Sequence, residues 1–218
     1  MDDFGLKALE QQHRFFRFLP NRLGFLARYV EPIPASSTVE EIQAMFNQDP
    51  DLDAIPLEED GGVVGLLARD SMMHGDVRGG LFRSPKLHDF MEPDAPIRDA
   101  MESLYQTLKE YEEKKFAKVF LVYHGGRYIG ICGIHSVLMH SAKLQAQDLE
   151  QAKSVQEALM HIDEAPAHYG LQWFNKMAHE VGGDFLQFRK MNDDLWFLGV
   201  FDIAGKGVSA ALSTSLIS

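Results

Sequence analysis

The sequence predicts an α+β protein, in which small sheets with flanking helices are followed by a long helix and an incomplete α/β domain. A helix followed by strand, turn, strand and helix occurs twice between residues 31 and 141. Residues 136–163 contain neither Pro nor Gly, and two apolar strands follow Pro166. The predicted organisation is a helical segment at 1–30, a repeated unit at 31–141, a linker helix at 142–165 and the start of a further domain at 166–218.

The composition is that of a globular protein, with 45% apolar and 24% charged residues in a chain of 218. A net charge of −11 opposes most contacts with nucleic acid or anionic membranes, so neither is an expected partner. The single cysteine, Cys132, lies in an apolar run, which predicts a buried residue without a disulfide. Because no signal peptide and no membrane-spanning apolar run are found, we expect a cytoplasmic protein.

Each element of the first copy has a local signal. Residues 4–30 predict two short helices separated by Pro20, with aromatic side chains packed against the next domain. Ser37 and Glu40 have the spacing of a capping box, and the helix that they open has an apolar face of Val39, Ile42, Met45 and Phe46. Strands are predicted at 53–57 and 63–67 around a turn at 58–62, and a helix begins at Arg69.

The second copy begins near Lys86. Asp94 and Pro96 mark the start of a predicted helix, whose apolar stripe is formed by Ile97, Ala100, Met101, Leu104, Leu108 and Tyr111. Strands follow at 116–123 and 128–134 around the turn 124–127, and a helix closes the copy.

The long helix predicted at 136–163 carries a repeating seam. Its positions alternate by four and three residues, as in a coiled coil weakened by small and polar side chains: Leu138, Ala142, Gln145, Leu149, Ala152, Gln156 and Leu159. The pattern is compatible both with a homodimer, formed through this helix and the repeated unit, and with an ordinary surface helix.

Two acidic residues lie beside glycines at the ends of apolar strands. The strands are predicted at 181–188 and 195–201 around the turn 189–194. Asp184 follows two glycines, and Asp202 lies just before Ala204 and Gly205. Such carboxylates can bind a hard divalent cation, because glycine lets backbone carbonyls or water approach closely. Solvated turn residues are the alternative interpretation.

The motifs EVGGDF at 180–185 and VFDIAGKGVSAAL at 200–212 resemble the opening of SpoIIE-type (RsbU-like) serine/threonine phosphatase domains of the PPM superfamily. The resemblance implies an α/β sandwich with two Mn²⁺ or Mg²⁺ ions. Asp202 would bridge the ions, the backbone carbonyl of Ile203 would bind one of them, and Asp184 would contribute directly or through water. The ions would activate a water for attack on a phosphoserine protein, such as an anti-anti-sigma factor.

The sequence departs from that family in two places. Gln187 replaces a frequent acid, and the later Asp ligands of the family lie beyond Ser218. Because a two-metal centre needs several carboxylates, we expect these 218 residues to be inactive, as a fragment of a phosphatase or a relative with a vestigial catalytic segment. The GGDF motif at 182–185 is also similar to the diguanylate cyclase signature, but Phe185 and Leu186 stand where that family needs a further acid.

The repeated unit at 31–141 resembles a tandem pair of CBS domains, known as a Bateman module. The resemblance rests on the order of its elements and on the motifs GGVVGLLARD at 61–70 and GGRYIGICGIH at 125–135. In many CBS pairs a Thr and an Asp of this motif hold the ribose and phosphate groups of adenine nucleotides. The resemblance implies that Asp70 contacts the ribose, with Ala68 at the Thr position, and places Gly133 and His135 at a second site.

Two functional hypotheses follow. In the first, a CBS pair senses a nucleotide or fixes a dimer, and the long helix transmits its state to a metal-dependent phosphatase domain. In the second, the chain is a non-catalytic nucleotide-binding or dimerisation module with a vestigial phosphatase segment.

Overall fold

A computed structural model describes the chain in several stretches, which comprise residues 14–74, 87–92, 95–114, 118–159, 170 and 184–202. They form a mixed α+β structure of small sheets and flanking helices, which confirms the predicted fold class at this level. The chain divides into two compact units, Met1–Ser141 and Ala142–Ser218. The predicted segment 160–165, the glycines before Asp184 and the motif after Asp202 lie outside the described residues.

The first unit is helical on both sides of Pro20, as predicted, but the second helix ends at Leu26, and Arg28 pairs with a strand instead. Residues 14–16 are helical, and α1 (Leu23–Leu26) follows the proline. The N–H of Leu23 donates to the carbonyl of Glu102 at 3.0 Å, which ties α1 to a later part of the same unit. Phe16 is buried, whereas Phe15 and Phe18 are exposed. Only part of the aromatic cluster therefore packs into the core.

Two copies of one arrangement follow, and the last helix of the second copy continues into the second unit. The first copy contains β1 (Ile33–Pro34), α2 (Val39–Gln48), β2 (Ala54–Glu59), β3 (Gly62–Ala68) and α3 (Arg69–His74). The second contains β4 (Ile97–Asp99), α4 (Leu104–Lys114), β5 (Val119–His124), β6 (Arg127–Gly133) and α5 (Ile134–Leu159). A short 3-10 helix at Leu87–Asp89 lies between them. In each copy the first strand is parallel to the second, and the second is antiparallel to the third.

The two copies correspond residue by residue. Ala54, which begins β2, is equivalent to Val119, which begins β5, and the same difference in residue number, here called the repeat offset, relates the other equivalent pairs. Both hairpins shift their register at the same place, directly after Leu57 and directly after Val122. The first residues of α2 and α4 are also separated by the repeat offset. The repeat thus extends from the order of the elements to the register of single residue pairs.

The prediction that a helix begins near Pro96 and includes Ile97 is wrong. Residues Ile97–Asp99 form β4, and α4 begins only at Leu104. Ile97 pairs in parallel with Leu121 of β5, and the N–H of Ala100 donates to the carbonyl of Tyr123 at 2.8 Å. Pairing with a strand that is distant in the sequence therefore overrides a helical spacing of apolar residues.

The predicted capping box of α2 is displaced by one residue. Thr38 is the N-cap, and its hydroxyl accepts a hydrogen bond from the N–H of Glu41 at 3.2 Å. The N–H of Thr38 in turn donates to the carboxylate of Glu41 at 2.9 Å. Ser37 instead closes a turn, since its N–H donates to the carbonyl of Pro34. The apolar face of α2 is confirmed, with Ile42 and Phe46 buried and Val39 and Met45 partly buried.

Each copy extends the sheet of the other. Arg28, which precedes the first copy, exchanges two backbone hydrogen bonds of 2.9 Å with Ile131 of β6. Glu92, which precedes β4, exchanges backbone bonds of 3.3 and 2.8 Å with Leu66 of β3. The core around β2 and β3 also includes Leu121 and Ile131 from the second copy. The two copies are therefore joined by backbone pairing and a shared core, and they do not form independent domains.

The predicted seam on α5 differs in burial between its two halves. Leu138, Ala142 and Gln145 are exposed, whereas Ala152 and Gln156 are buried. The side chain of Gln156 donates to the backbone carbonyl of Asp184 at 3.2 Å. Among the seam residues whose burial is described, the exposed ones therefore lie in the first half of the helix. A dimer through this helix stays a prediction.

In the second unit, β7 (Phe185–Lys190) and β8 (Trp196–Phe201) form an antiparallel hairpin. The first strand extends to Lys190, two residues further than predicted, and the connecting loop covers 191–195. Phe188 is buried and stacks on Trp196, with 4.9 Å between the ring centroids. This stacking explains the longer pairing, because an aromatic pair near the turn stabilises the adjacent strand ends.

Candidate functional site

The residues that the sequence assigns to nucleotide binding lie where the third strand of each copy ends and the following helix begins. Ala68 ends β3, and Asp70 lies in the first turn of α3. Gly133 ends β6, and His135 lies in the first turn of α5. By the repeat offset, Asp70 corresponds to His135 and Ala68 to Gly133. The structure therefore contains two equivalent corners, one in each copy.

Backbone hydrogen bonds hold one further residue at each corner. The N–H of Arg69 donates to the carbonyl of Asp53, and the N–H of Ile134 donates to the carbonyl of Lys118, each at 2.8 Å. Asp53 and Lys118 directly precede β2 and β5. The guanidinium of Arg69 also donates to the carbonyl of Phe46 at 2.9 Å and lies over that ring, 4.9 Å from its centroid. The start of α3 is thereby fastened to the end of α2.

The first corner consists of Ala68, Asp70 and Lys118, and it combines residues of both copies. The ammonium of Lys118, from the second copy, lies 3.5 Å from the carboxylate of Asp70 in the first. Both side chains are largely exposed, at 80% and 76%. Water screens so exposed an ion pair and leaves it weak, so a ligand can separate the two groups at little cost.

The second corner consists of Gly133, His135 and Asp53, and its charges differ from those of the first. Asp53 stands where the first corner has Lys118, and its carboxylate lies 3.2 Å from the point where a side chain at Gly133 would begin. His135 is exposed and stands where the first corner has Asp70. An acid thus takes the place of the cation, which disfavours a phosphate group at this corner.

Sequence reasoning found Ala68, Asp70, Gly133 and His135 but missed Lys118 and Asp53. The missed residues directly precede the strand that opens each hairpin, outside the motif that carries the resemblance. A signal was present in the sequence, since the two residues are equivalent by the repeat offset and opposite in charge. The contacts that bring Lys118 to Asp70 and Asp53 to Gly133 join the two copies, and they appear only in the folded structure.

Cys132 lies in β6 next to the second corner. It is buried and unpaired in a disulfide, as predicted. Burial raises the pKa of the thiol to about 12, and the negative charge of Asp53 contributes in the same direction. A thiol with so high a pKa is protonated at neutral pH, so Cys132 is a core residue and not a nucleophile.

The two predicted metal ligands are brought together at the open end of the β7–β8 hairpin. Phe185 pairs with Phe201, so Asp184 and Asp202 occupy the next opposed positions of the two chains. Both side chains are exposed. The hairpin therefore places the two aspartates at the same end, one before its first strand and one after its second, while Ile203 lies outside the described residues.

These two carboxylates do not by themselves fit a two-metal centre. Within the described stretches, no group of three or more His, Cys, Asp or Glu side chains is arranged to hold a metal ion. Residues 203–218 add no carboxylate, imidazole or thiol. Mg²⁺ and Mn²⁺ ions that activate a water are held by carboxylates and other oxygen ligands, and two ions require more of them than one pair of aspartates supplies.

No protein-family model matches the chain, and no curated protein matches it. Solved structures that resemble it are of CBS domain proteins. The CBS domain of a bacterial CNNM/CorC family Mg²⁺ transporter in complex with ATP is 13% identical, with a TM-score of 0.46, and the match covers 60% of this chain and 95% of that one. CBSX2 in complex with AMP is 15% identical, with a TM-score of 0.44 and coverages of 57% and 98%.

A CBS domain pair in complex with 5′-methylthioadenosine and S-adenosyl-L-methionine is 10% identical, with a TM-score of 0.44 and coverages of 56% and 96%. As for membranes, none of the helices in the described stretches combines the length and the hydropathy that a crossing requires.

Proposed function

We propose that the first unit is a CBS-type regulatory module that binds an adenine nucleotide at the first corner. The observation that carries the proposal is the meeting of Asp70 and Lys118, which come from different copies and lie 3.5 Å apart at the start of α3. A carboxylate accepts hydrogen bonds from ribose hydroxyls, and an ammonium attracts phosphate. A ligand that engages both residues connects the two copies, which is what a sensor needs in order to change their relation.

The charges of the two corners favour one nucleotide per chain. At the second corner Asp53 replaces the lysine, so a phosphate there would meet a carboxylate instead of an ammonium. His135 also lacks the acceptor pair that a carboxylate offers to a ribose diol. We therefore expect a stoichiometry of one, with the first corner as the site.

Replacing Asp70 by Asn should weaken nucleotide binding about tenfold, because a charge-assisted hydrogen bond to the ribose is lost. The measurement is calorimetric titration with AMP, ATP and S-adenosylmethionine, the ligands of the structures named above. Asp60→Asn is the matched control, since Asp60 is an exposed acid in the turn of the same hairpin. Its φ of 52° suits asparagine, so the fold should be retained.

Equal affinity of the wild type and Asp70→Asn for AMP would exclude the first corner as the site. If none of the three ligands binds, the module does not sense adenine nucleotides. The second hypothesis, a dimerisation module, would then be favoured, and sedimentation with a Leu138→Glu variant would test whether the exposed first half of α5 holds a dimer.

We further propose that the hairpin of the second unit is related to PPM-type phosphatases and that α5 passes the state of the module to that domain. What supports this is the opposition of Asp184 and Asp202 at one hairpin end, together with the resemblance of their motifs. A phosphatase of this kind would act on a phosphoserine regulator. The module would adjust its activity through the helix that both units share.

This polypeptide itself should not hydrolyse a phosphoserine peptide in the presence of Mn²⁺. The reason is that two ions need more oxygen ligands than Asp184 and Asp202 supply. The measurement is phosphate release at millimolar Mn²⁺, compared with the Asp184→Asn, Asp202→Asn double variant. Release by the wild type that the double variant loses would contradict the prediction.

A further inference from the structure

The first unit contains a cavity of about 550 Å³ at the turn end of its two hairpins. Its lining includes Glu58 and Gly62 from the first hairpin and Tyr123, Arg127 and Tyr128 from the second. Tyr29 and Glu31, from the segment that precedes β1, complete the wall. A cavity of this size is in the range that proteins use for small-molecule ligands.

The cavity is distinct from the first corner. Gly62 begins β3 and lines the cavity, whereas Ala68 ends the same strand and belongs to the first corner. A strand rises about 3.3 Å per residue, which separates the two ends by about 20 Å. A ligand in the cavity would therefore leave Asp70 and Lys118 free.

The two copies contribute different chemistry to the cavity. By the repeat offset, Tyr123 and Tyr128 of the second copy correspond to Glu58 and Val63 of the first. The rings of Tyr123 and Tyr128 lie edge to face, with centroids 5.8 Å apart, and Tyr29 lies 5.9 Å from Tyr128. The hydroxyl of Tyr128 donates to the backbone carbonyl of Val30 at 3.0 Å, which fixes that ring. The lining of the cavity thus includes a cluster of three neighbouring tyrosine rings.

The lining also carries negative charge, from Glu31 and Glu58. Burial raises the pKa of Tyr29, and the carboxylates of Glu31 and Glu58 raise it further, so both carboxylates act on the phenol of this wall. A field that disfavours a phenolate favours a cation at the same place. Among the described lining residues, Arg127 is the cationic side chain, and it is exposed. The described lining thus contains two carboxylates and one guanidinium.

We propose that this cavity binds a small organic cation with a methylated ammonium group. Three tyrosine rings line the cavity, and two carboxylates supply a charge that complements a cation. This combination recognises quaternary ammonium groups, because the cation is weakly hydrated and attracted to aromatic faces. An anionic nucleotide would instead meet both glutamates.

The test is calorimetric titration of the full chain with choline and tetramethylammonium, and with 3,3-dimethyl-1-butanol, the neutral carbon analogue of choline. We expect the two cations to bind and the neutral analogue to bind at least about tenfold more weakly, as a cation–π site requires. Glu58→Gln and Tyr123→Leu should each weaken choline binding about fivefold or more.

Glu59→Gln is the matched control. Glu59 is the next residue of β2, is exposed and does not line the cavity, so the same charge change there should leave choline binding unaltered. Thermal unfolding of each variant checks that the fold is retained. Asp70→Asn should also bind choline normally, which separates this inference from the proposed nucleotide site.

The proposal is overturned if neither cation binds, if the neutral analogue binds as tightly as choline, or if Glu59→Gln weakens binding as much as Glu58→Gln. It is also overturned if AMP displaces choline in the Asp70→Asn variant, since the cavity would then accept a nucleotide.

Discussion

Replacing Gly130 by Ala should destabilise the first unit by about 3–4 kcal/mol, among the largest effects expected of a single methyl group in this chain. Gly130 lies in β6 with a φ of 155°, which residues with a side chain rarely adopt. A Cβ atom there would lie 2.5 Å from the carbonyl oxygen of Arg28 and 2.7 Å from its carbon. The obstacle is backbone, so no side-chain rotation can relieve the clash.

The strain acts on the contact that interlocks the two copies. Arg28 exchanges two backbone hydrogen bonds of 2.9 Å with Ile131, the neighbour of Gly130. Moving the chain away to admit a methyl group would break both bonds and leave their donors and acceptors unpaired beside the core. The expected cost combines this loss with the strain of the backbone angle.

The repeat provides matched controls for this variant. Gly65 is the equivalent residue of the first copy, and a Cβ there would meet the side chain of Met91 at 2.7 Å and the carbonyl oxygen of Glu92 at 3.0 Å. Because Met91 can turn aside, Gly65→Ala should cost less, about 1–2 kcal/mol. Gly126 has a φ of 76° and open space around it, so Gly126→Ala should cost about 1 kcal/mol.

Urea unfolding at neutral pH, followed by circular dichroism, gives the free energy of unfolding for each variant. The expected order of destabilisation is Gly130→Ala, then Gly65→Ala, then Gly126→Ala. A Gly130→Ala variant as stable as Gly126→Ala would show that the strand of Arg28 does not need the close approach seen here.

The hairpins could be predicted from the sequence because their signals are local. Apolar runs on either side of glycine-containing turns identify β2, β3, β5 and β6 within a few residues. The two turns at Asp60–Gly61 and Gly125–Gly126 have positive φ angles, which is what their residue types favour. The repeat was visible for the same reason, since both copies contain the same local signals.

Elements held by distant pairing could not be predicted in the same way. Ile97, Ala100 and Met101 fit one face of a helix, and nothing near them opposes that interpretation. What makes Ile97 part of a strand is Leu121, its partner in β5. The reciprocal bridge between Leu66 and Glu92 is equally invisible to local patterns. Aligning the two copies by the repeat offset would have placed β4 correctly, because β1 is its equivalent in the first copy.

The candidate sites show the same contrast between residues with a local sequence signal and residues brought together by distant contacts. Asp70 was found from its motif. Lys118 comes close to Asp70 only because the two copies are packed against each other. Asp184 and Asp202 were found as separate strand ends, and the register of one hairpin is enough to oppose them. The tyrosine cavity had no local signal, since its lining comes from three separate segments of the chain.

The second large effect concerns Cys132, whose thiol should react about a thousandfold more slowly in the folded protein than in the unfolded chain. Burial, with a smaller contribution from Asp53, raises the pKa of this thiol from 9.0 to about 12. The thiolate is the reactive form, and each pKa unit lowers its fraction tenfold at neutral pH. The measurement is labelling with a thiol-specific disulfide reagent at pH 7.5, with and without urea. Equal rates under both conditions would contradict the prediction.

The raised pKa of Cys132 should also make the first unit less stable as the pH becomes alkaline. The folded protein binds the thiol proton more tightly than the unfolded chain, so the stabilisation is complete below pH 9 and is lost as pH rises towards 12. Tyr29, Tyr123 and Tyr128 also have raised pKa values and contribute in that range. Cys132→Ala removes the thiol but leaves the tyrosines, so the difference between wild type and variant isolates the cysteine. The wild type should lose more stability than Cys132→Ala between pH 9 and 11, and parallel curves would mean that the thiol titrates as it does in water.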